Sequence, residues 1–380
     1  MRVMITMWAW GPSHYQPLVP LAWAFRLAGH DVMIATQPRL TRHVLRSGLP
    51  AMPLGTDEEV SAAVERFLKP GALPRKVQVG GKTESRTIRD FAQIAEAMAG
   101  PLTDAVRAWR PDLIVFEETT YAAPLVAELT GVPAVRHLLG LDCLSPLRWT
   151  ESPALAELTE RLGLGMVDLA GRVTVDACPP SMQVEGDFPR QLMRYVPYNG
   201  TAELPSWLDG GKRPRVCVTW GTSMYRFEYY DFVAGKIIKA VAELGVDVVA
   251  ALSEADRRAL GPMPDNVHVA ETVPLGAVLP GCDLVISQGG MGTTLTTAAF
   301  GVPHLIAPVL PDHKVNVGQL AKTGAGDVLD AGADAASIAA RVAEVLATPS
   351  FAEAARRVQA EIAAQPLPAT VADKLVELVR

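Results

Sequence analysis

Short apolar runs alternate with amphipathic stretches along most of this chain. Residues 3–7 form an apolar run that Gly11-Pro12-Ser13 breaks. Helical spacing of apolar positions then predicts a helix over 18–28, closed by Gly29. A strand over 31–35 and a helix over 38–47, closed by Gly48, repeat the unit. Glycine past the last helical turn is the expected stop, because it tolerates positive φ. The rhythm resumes with a strand at 112–116, a helix at 121–129 and a strand at 132–137. Apolar strands spaced by amphipathic helices predict an α/β protein with parallel sheets covered on both faces.

Two stretches interrupt the pattern. Residues 55–90 carry Pro70, Gly71, Pro74 and Gly80-Gly81 among scattered charges, and read as a long loop near a ligand. Residues 197–214, PYNGTAELPSWLDGGKRP, read as an interdomain linker. After it the alternation restarts, with strands at 215–219, 246–250, 267–269, 284–287 and 304–307. Helices are predicted at 228–244, across 335–364 and at 370–379. The domains are therefore 1–198, a linker at 199–213, a second domain at 214–364, and a terminal segment at 365–380. Both halves read as one architecture used twice. Two doubly wound, Rossmann-like domains facing across a deep cleft suit an enzyme that joins two substrates, since open parallel sheets bind ligands at the carboxyl ends of their strands.

Composition narrows the function. The net charge is −6 and no run of Lys or Arg exceeds two, which argues against nucleic acid and against anionic lipid as partners. No apolar stretch reaches the ~18 residues of a membrane span. The N-terminal MRVMITMWAW has one positive charge and no small-residue cleavage site, so it reads as a buried strand rather than a signal peptide. Cys143, Cys178, Cys217 and Cys282 are far apart in sequence and read as free thiols in a reducing, cytoplasmic setting.

The candidate chemistry clusters after strands. Ser287-Gln288-Gly289-Gly290-Met291-Gly292-Thr293-Thr294 comes directly after one strand and opens a helix. Its glycines admit close backbone approach, and the N–H groups at a helix N-terminus suit a diphosphate. The same stretch also reads as a strand-to-helix turn without ligand, and it matches neither standard phosphate-loop pattern. Thr222 and Ser223, after the strand at 215–219, offer hydroxyls to the same phosphates, or simply cap the next helix. His14 comes after the first strand and suits general-base work. Glu117-Glu118 and Asp142 come after two further strands, where a carboxylate would orient the imidazole, or lie solvated in a loop. Asp312, beside His313, could accept from sugar hydroxyls or cap a helix starting near Lys314. No metal-ligand spacing is present: HExxH is absent, and His304 and His313 are separated by a Pro-containing loop.

At these residues the chain resembles a known family. LVISQGGMGTTLTTAAFG (284–301) is similar to the donor-binding signature of the GT-B glycosyltransferases of family 1, in particular their actinomycete antibiotic branch. SHYQPLVPLAWAFRLAGHDV (13–32), WRPDLIVFE (109–117), PPSMQ (179–183), RYVPYNG (194–200), VTWGTS (218–223), ETVPLGAVLPGCDLVISQGG (271–290) and PVLPDHKVN (308–316) match in order, over nearly the whole chain. The resemblance implies an acceptor bound by the first domain, a nucleotide sugar bound by the second, inversion at the anomeric carbon, no metal or other cofactor, and a last helix that crosses back to the N-terminal domain. It implies His14 as base, Glu117 as its acidic partner where the family more often has aspartate, and Asp142 as a second acid in the acceptor pocket. The implied donor set is Ser13, Thr222, Ser223, Val273 (through its backbone), Gln288, Gly289, Gly290, Gly292, Thr293, Asp312 and His313. Two positions depart from the family: Gln288 replaces the usual histidine, and Asp312-His313 replaces Asp-Gln. Fewer sugar-binding groups suit a deoxysugar.

The implied function is an inverting glycosyltransferase that moves a deoxysugar from a TDP-sugar to a polyketide-like aglycone, small and apolar or aromatic, in antibiotic biosynthesis. Attack from oxygen and attack from an aromatic carbon both remain open, as do His14 and Asp142 as base, and monomer and homodimer as assembly. Two rivals are a nucleotide-sugar epimerase, which the apolar acceptor face opposes, and a silent auxiliary protein that activates a partner transferase.

Overall fold

The computed structural model describes residues 1–68, 76–79, 82–209, 214–221, 233–271 and 273–379. The chain divides into two compact units. The first comprises Met1–Ala177, Val184–Arg194 and Pro366–Arg380; the second comprises Cys178–Gln183 and Tyr195–Gln365.

In the first unit the strands are β1 (Arg2–Thr6), β2 (Asp31–Thr36), β3 (Ala51–Pro53), β4 (Lys76–Val79), β5 (Lys82–Ser85), β6 (Leu113–Glu117), β7 (Ala134–His137), β8 (Thr174–Asp176) and β9 (Arg190–Leu192). Around them run α1 (Pro12–Tyr15), α2 (Val19–Leu27), α3 (Pro38–Arg46), α4 (Glu58–Leu68), α5 (Arg86–Trp109), α6 (Ala122–Thr130) and α7 (Glu151–Arg161). Seven strands form a parallel sheet in the order β3-β2-β1-β6-β7-β8-β9. β1 and β6 lie mid-sheet with Ile5 and Val115 fully buried. Each large apolar side chain buried in this way contributes roughly 1.5–3 kcal/mol. The order in which the chain adds strands reverses between β1 and β6, and such a switch point leaves a crevice at the carboxyl ends of the strands.

The stretch 55–90 departs from the long loop that its composition predicts. Residues 58–68 form α4, which buries Val60, Ala63 and Val64 at helical spacing, and β4 and β5 pair as an antiparallel hairpin. Residues 69–75, 80 and 81 lie outside the described residues. The longest helix, α5, is hidden in the sequence by Gly100-Pro101. It buries Ile88, Phe91, Ala95, Met98, Leu102 and Val106 along one face, and that packing outweighs the hydrogen bond Pro101 cannot donate. Ser85 caps it by accepting from Ile88 N at 3.5 Å.

In the second unit the strands are β10 (Arg215–Thr219), β11 (Asp247–Leu252), β12 (Val267–Glu271), β13 (Leu284–Ser287), β14 (His304–Ile306) and β15 (Gly326–Val328). The helices are α8 (Ala234–Ala242), α9 (Glu254–Ala259), α10 (Leu275–Val278), α11 (Met291–Ala299), α12 (Pro311–Thr323), α13 (Ala335–Ala347) and α14 (Pro349–Ala364). The parallel sheet runs β12-β11-β10-β13-β14-β15, with its switch point between β10 and β13. The last helix, α15 (Pro368–Leu378), belongs to the first unit and packs on α2. Among the described residues no helix is long and apolar enough to cross a membrane. The four cysteines are free thiols.

Candidate active site

The register of β1 on β6, with Thr6 opposite Phe116, brings the carboxyl ends of the two strands side by side. α1 comes shortly after β1, with Pro12 in its first turn and His14 N donating to Gly11 O at 3.2 Å. This turn sets His14 Nδ1 3.4 Å from Oε1 of Glu117, the last residue of β6. The imidazole is 16% exposed and the carboxylate fully buried. Trp8 meets the imidazole edge-on at 5.8 Å, and Trp10 lies 6.1 Å from it.

Glu117 is held by its own chain. Thr119 N donates to Oε1 at 3.0 Å, the Thr119 hydroxyl lies 2.8 and 2.7 Å from the two oxygens, and the Thr120 hydroxyl donates to Oε2 at 2.9 Å. Burial pushes the carboxyl pKa up. The charge of His14 and the Thr119 donors outweigh burial and hold the pKa below the usual value. The pair is thus arranged to keep a carboxylate ionised behind an imidazole whose other nitrogen can take a proton.

Asp142 is fully buried and paired with the Arg148 guanidinium. Arg148, Arg136 and Arg190 surround the Phe188 ring at 3.9, 4.4 and 4.6 Å, and Arg190 also pairs with Asp176 at 2.8 Å. Next to Glu117, Glu118 accepts from Leu139 N at 3.2 Å. Burial, reinforced by the charges of Asp142 and Glu117, pushes its pKa well up. Two adjacent carboxyls on one turn are thus pushed in opposite directions, Glu117 toward its ionised form and Glu118 toward its neutral form.

In the second unit, Thr219 opposite Ser287 aligns the ends of β10 and β13. Gly289 turns the chain with φ +91°, and Gly290 caps α11, whose first internal bond runs from Thr294 N to Gly290 O. The N–H groups ahead of that bond have no acceptor within the helix, an arrangement that, with the helix dipole, suits an anion. The loop is pinned on both sides of Gly289: its N–H donates to Ser287 Oγ at 2.9 Å, and its carbonyl accepts from Asn316 Nδ2 at 2.7 Å. Ser287 Oγ in turn meets His304 Nε2 at 2.8 Å, and burial drives the pKa of that histidine down to about 3. The Gln288 amide lies over both glycine turns. A Cβ on Gly221 would come 2.6 Å from Gln288 Nε2, and one on Gly290 would come 3.2 Å from it. Gln288 is nearly buried, and its Oε1 has no hydrogen-bond partner among the described residues.

The remaining candidates are scattered more widely. Ser13 is exposed, and Gly292 has open space where a Cβ would stand. Thr293 is half-buried, and Val273, like Phe300, packs against the buried cluster that includes Val278 and Val285. α12 starts at Pro311, not near Lys314, and neither Asp312 nor His313 is its N-cap. His313 is buried, and its Nδ1 accepts from Leu310 N at 3.2 Å, so it secures the turn; Asp312 is about half exposed. Thr222 and Ser223 lie outside the described residues. Among the described residues no group of His, Cys, Asp or Glu comes together as metal ligands. Sequence reasoning missed Thr119, Thr120, Asn316 and Arg148. Only the hydroxyl pair directly after Glu117-Glu118 carried a local signal.

Models of two domains match the chain. The N-terminal domain of erythromycin biosynthesis protein CIII-like proteins matches residues 23–221, and their C-terminal domain matches residues 235–378. A TDP-daunosamine transferase of Streptomyces peucetius is 36% identical over 100% of this chain and 97% of its own. An L-demethylnoviosyl transferase of Streptomyces niveus is 36% identical over 99% and 97%. Among solved structures, the glycosyltransferase VinC in complex with dTDP superposes with a TM-score of 0.84 at 32% identity, covering 100% of this chain and 99% of VinC. The spinosyn rhamnosyltransferase SpnG, complexed with spinosyn aglycone, gives 0.84 at 28% identity, covering 99% and 100%.

Proposed function

The chain belongs to the erythromycin biosynthesis protein CIII-like family of glycosyltransferases, with two Rossmann-like domains of the GT-B type, and from that premise we propose that it moves a deoxysugar from a TDP-sugar to a polyketide-like natural product in antibiotic biosynthesis, with inversion and without a metal ion. The observation that carries this reading is the His14–Glu117 pair at the switch point of the first sheet. Relatives named for daunosamine and noviose-type sugars support a deoxysugar donor, and the dTDP bound to VinC supports a thymidine nucleotide.

The acceptor hydroxyl loses its proton to His14 Nε2 as its oxygen attacks the anomeric carbon. The bond from that carbon to the diphosphate breaks, and TDP leaves with the electron pair. Glu117 stabilises the imidazolium that forms. The α11 N-terminus, Gln288, Gly290, Gly292 and Thr293, with Thr222 and Ser223, neutralise the leaving diphosphate through N–H dipoles and hydroxyls. Asp142 is fully buried and ion-paired with Arg148, while His14 is partly exposed beside its own carboxylate, which favours His14 as the base and oxygen as the attacking atom.

The test is calorimetric titration of the protein with TDP and then UDP, in the presence of a chelator. Preferential binding of TDP supports the donor assignment. Binding of neither nucleotide would remove it and bring the auxiliary-protein reading forward.

A further inference from the structure

We propose that Trp8 is a positioning residue for the His14–Glu117 pair: its indole N–H and its backbone N–H each donate to a threonine hydroxyl, and so turn the single protons of Thr119 and Thr120 onto the Glu117 carboxylate. The proposal rests on the reading of His14 as a base. It identifies what keeps that base in one tautomer.

Counting protons fixes the direction of each bond. Trp8 Nε1 lies 2.6 Å from Thr119 Oγ1, and Trp8 N lies 3.2 Å from Thr120 Oγ1. Indole and backbone N–H groups only donate, so both hydroxyl oxygens accept from Trp8. Each hydroxyl has one proton left, and its other neighbour is Glu117, at 2.7–2.8 Å from Thr119 and 2.9 Å from Thr120. An ionised carboxylate only accepts, so both directions are set without seeing a hydrogen. With Thr119 N also on Oε1, three donors of the turn hold the carboxylate in its charged form and in one orientation. Glutamate has one more rotatable bond than aspartate, and this clamp removes that freedom. Oε1 then stands 3.4 Å from His14 Nδ1, where its charge favours the ring proton on that nitrogen, and Nε2 is left as the basic nitrogen. Trp8 can serve because it is itself immobile: it is 1% exposed and packs on Phe91 and Trp10 at 5.8 and 5.6 Å.

The other titratable groups facing the pair are Glu118 on the same turn, His137 on β7 and Tyr121 at the start of α6. They are unchanged in every variant below, so their influence cancels in the comparison.

The test is the titration of the His14 ring by NMR in the full chain, with its resonance assigned from His14→Gln. It needs no substrate. Trp8→Phe keeps the ring and loses the N–H. Thr119→Val loses the hydroxyl at constant shape, and Thr119→Ser keeps it. Removing a donor from Glu117 costs most when the pair holds no proton, so the apparent pKa of the pair rises, by roughly half a unit to one unit. Expected results are a rise in Trp8→Phe, a rise in Thr119→Val, none in Thr119→Ser, and a double variant Trp8→Phe/Thr119→Val that rises no further than Thr119→Val alone. A wild-type value in Trp8→Phe, or full additivity in the double variant, would overturn the proposal. If Trp8→Phe does not fold, the Thr119 pair decides: equal titration in Val and Ser overturns it. Full transferase activity in His14→Gln would sink the base assignment and leave this titration standing.

Discussion

The Cβ that Gly289 lacks would stand 2.5 Å from Ile306 Cγ2 on the neighbouring strand. With φ at +91°, the position is closed to other residues both by conformation and by contact. Gly289→Ala is expected to destabilise the second unit by roughly 1–3 kcal/mol through backbone strain, and to weaken TDP binding because the turn carrying the α11 N–H groups must shift. Thermal unfolding and nucleotide calorimetry read the two effects. Gly292→Ala, where space is open, is the contrasting control.

His14 and the Gln288-Gly289-Gly290 turn belong to different units, so their variants test chemistry and nucleotide binding separately. His14→Ala is expected to lower kcat by about 10²–10⁴-fold, the usual share of a general base. TDP affinity is expected to stay at the wild-type value. A loss below tenfold would end the assignment of His14 as base.

Asp142 and Arg148 make a different prediction. Asp142 is fully buried, while Arg148 keeps about a fifth of its side chain in solvent. Breaking a fully buried pair costs about 3–5 kcal/mol; partial exposure of the survivor lowers the expectation for Asp142→Ala to roughly 2–3 kcal/mol. Denaturant unfolding measures it. Replacing both partners, Asp142→Leu with Arg148→Met, should recover much of the loss. A catalytic base would instead show a rate loss with stability intact.

Buried histidines set the response to acid. His304 and His137 titrate in the fold at about 3 and about 4, both lowered by burial from an ordinary 6.5. Between those values and 6.5 the unfolded chain binds the extra protons, so their neutral burial stabilises the fold fully above about 6.5 and is lost as pH falls. Each contributes a slope of up to about 1.36 kcal/mol per pH unit. Glu117, lowered in the fold, adds a loss below its ordinary value of 4.5. Glu118, raised in the fold, keeps its proton where the unfolded chain has lost it and offsets part of this slope, so the deciding comparison is His304→Gln, which should remove one proton from the urea-midpoint slope between pH 6.5 and pH 4.5. A slope unchanged in His304→Gln would contradict the neutral burial of that ring.

The linear pattern was enough to place the two α/β units and the strands at whose carboxyl ends the candidate groups lie. Strands such as 215–219 and 284–287 were legible because a sheet buried on both faces needs unbroken apolar runs. Gln288-Gly289-Gly290 was legible because it comes directly after such a run, and His14 because it lies in the short turn that follows one. α5 was not legible, because local propensity reads Gly100-Pro101 as a break while six buried side chains on one face override it. Nor does α4 stand out among the glycines and prolines of 55–90.

What only the tertiary structure decided is which charges meet. The step from Thr6–Phe116 to the His14–Glu117 contact depends on β1 and β6 becoming neighbours across a hundred residues. The same holds for Trp8 reaching Thr119, for Asp142 pairing with Arg148, and for His313 turning to the Leu310 N–H rather than outward. Sequence supplies donors, acceptors and charges at strand ends. Whether a carboxylate there becomes a base's partner, half of a buried ion pair or a neutral acid depends on burial and on the groups within a few ångströms, and those are set by strand order and packing.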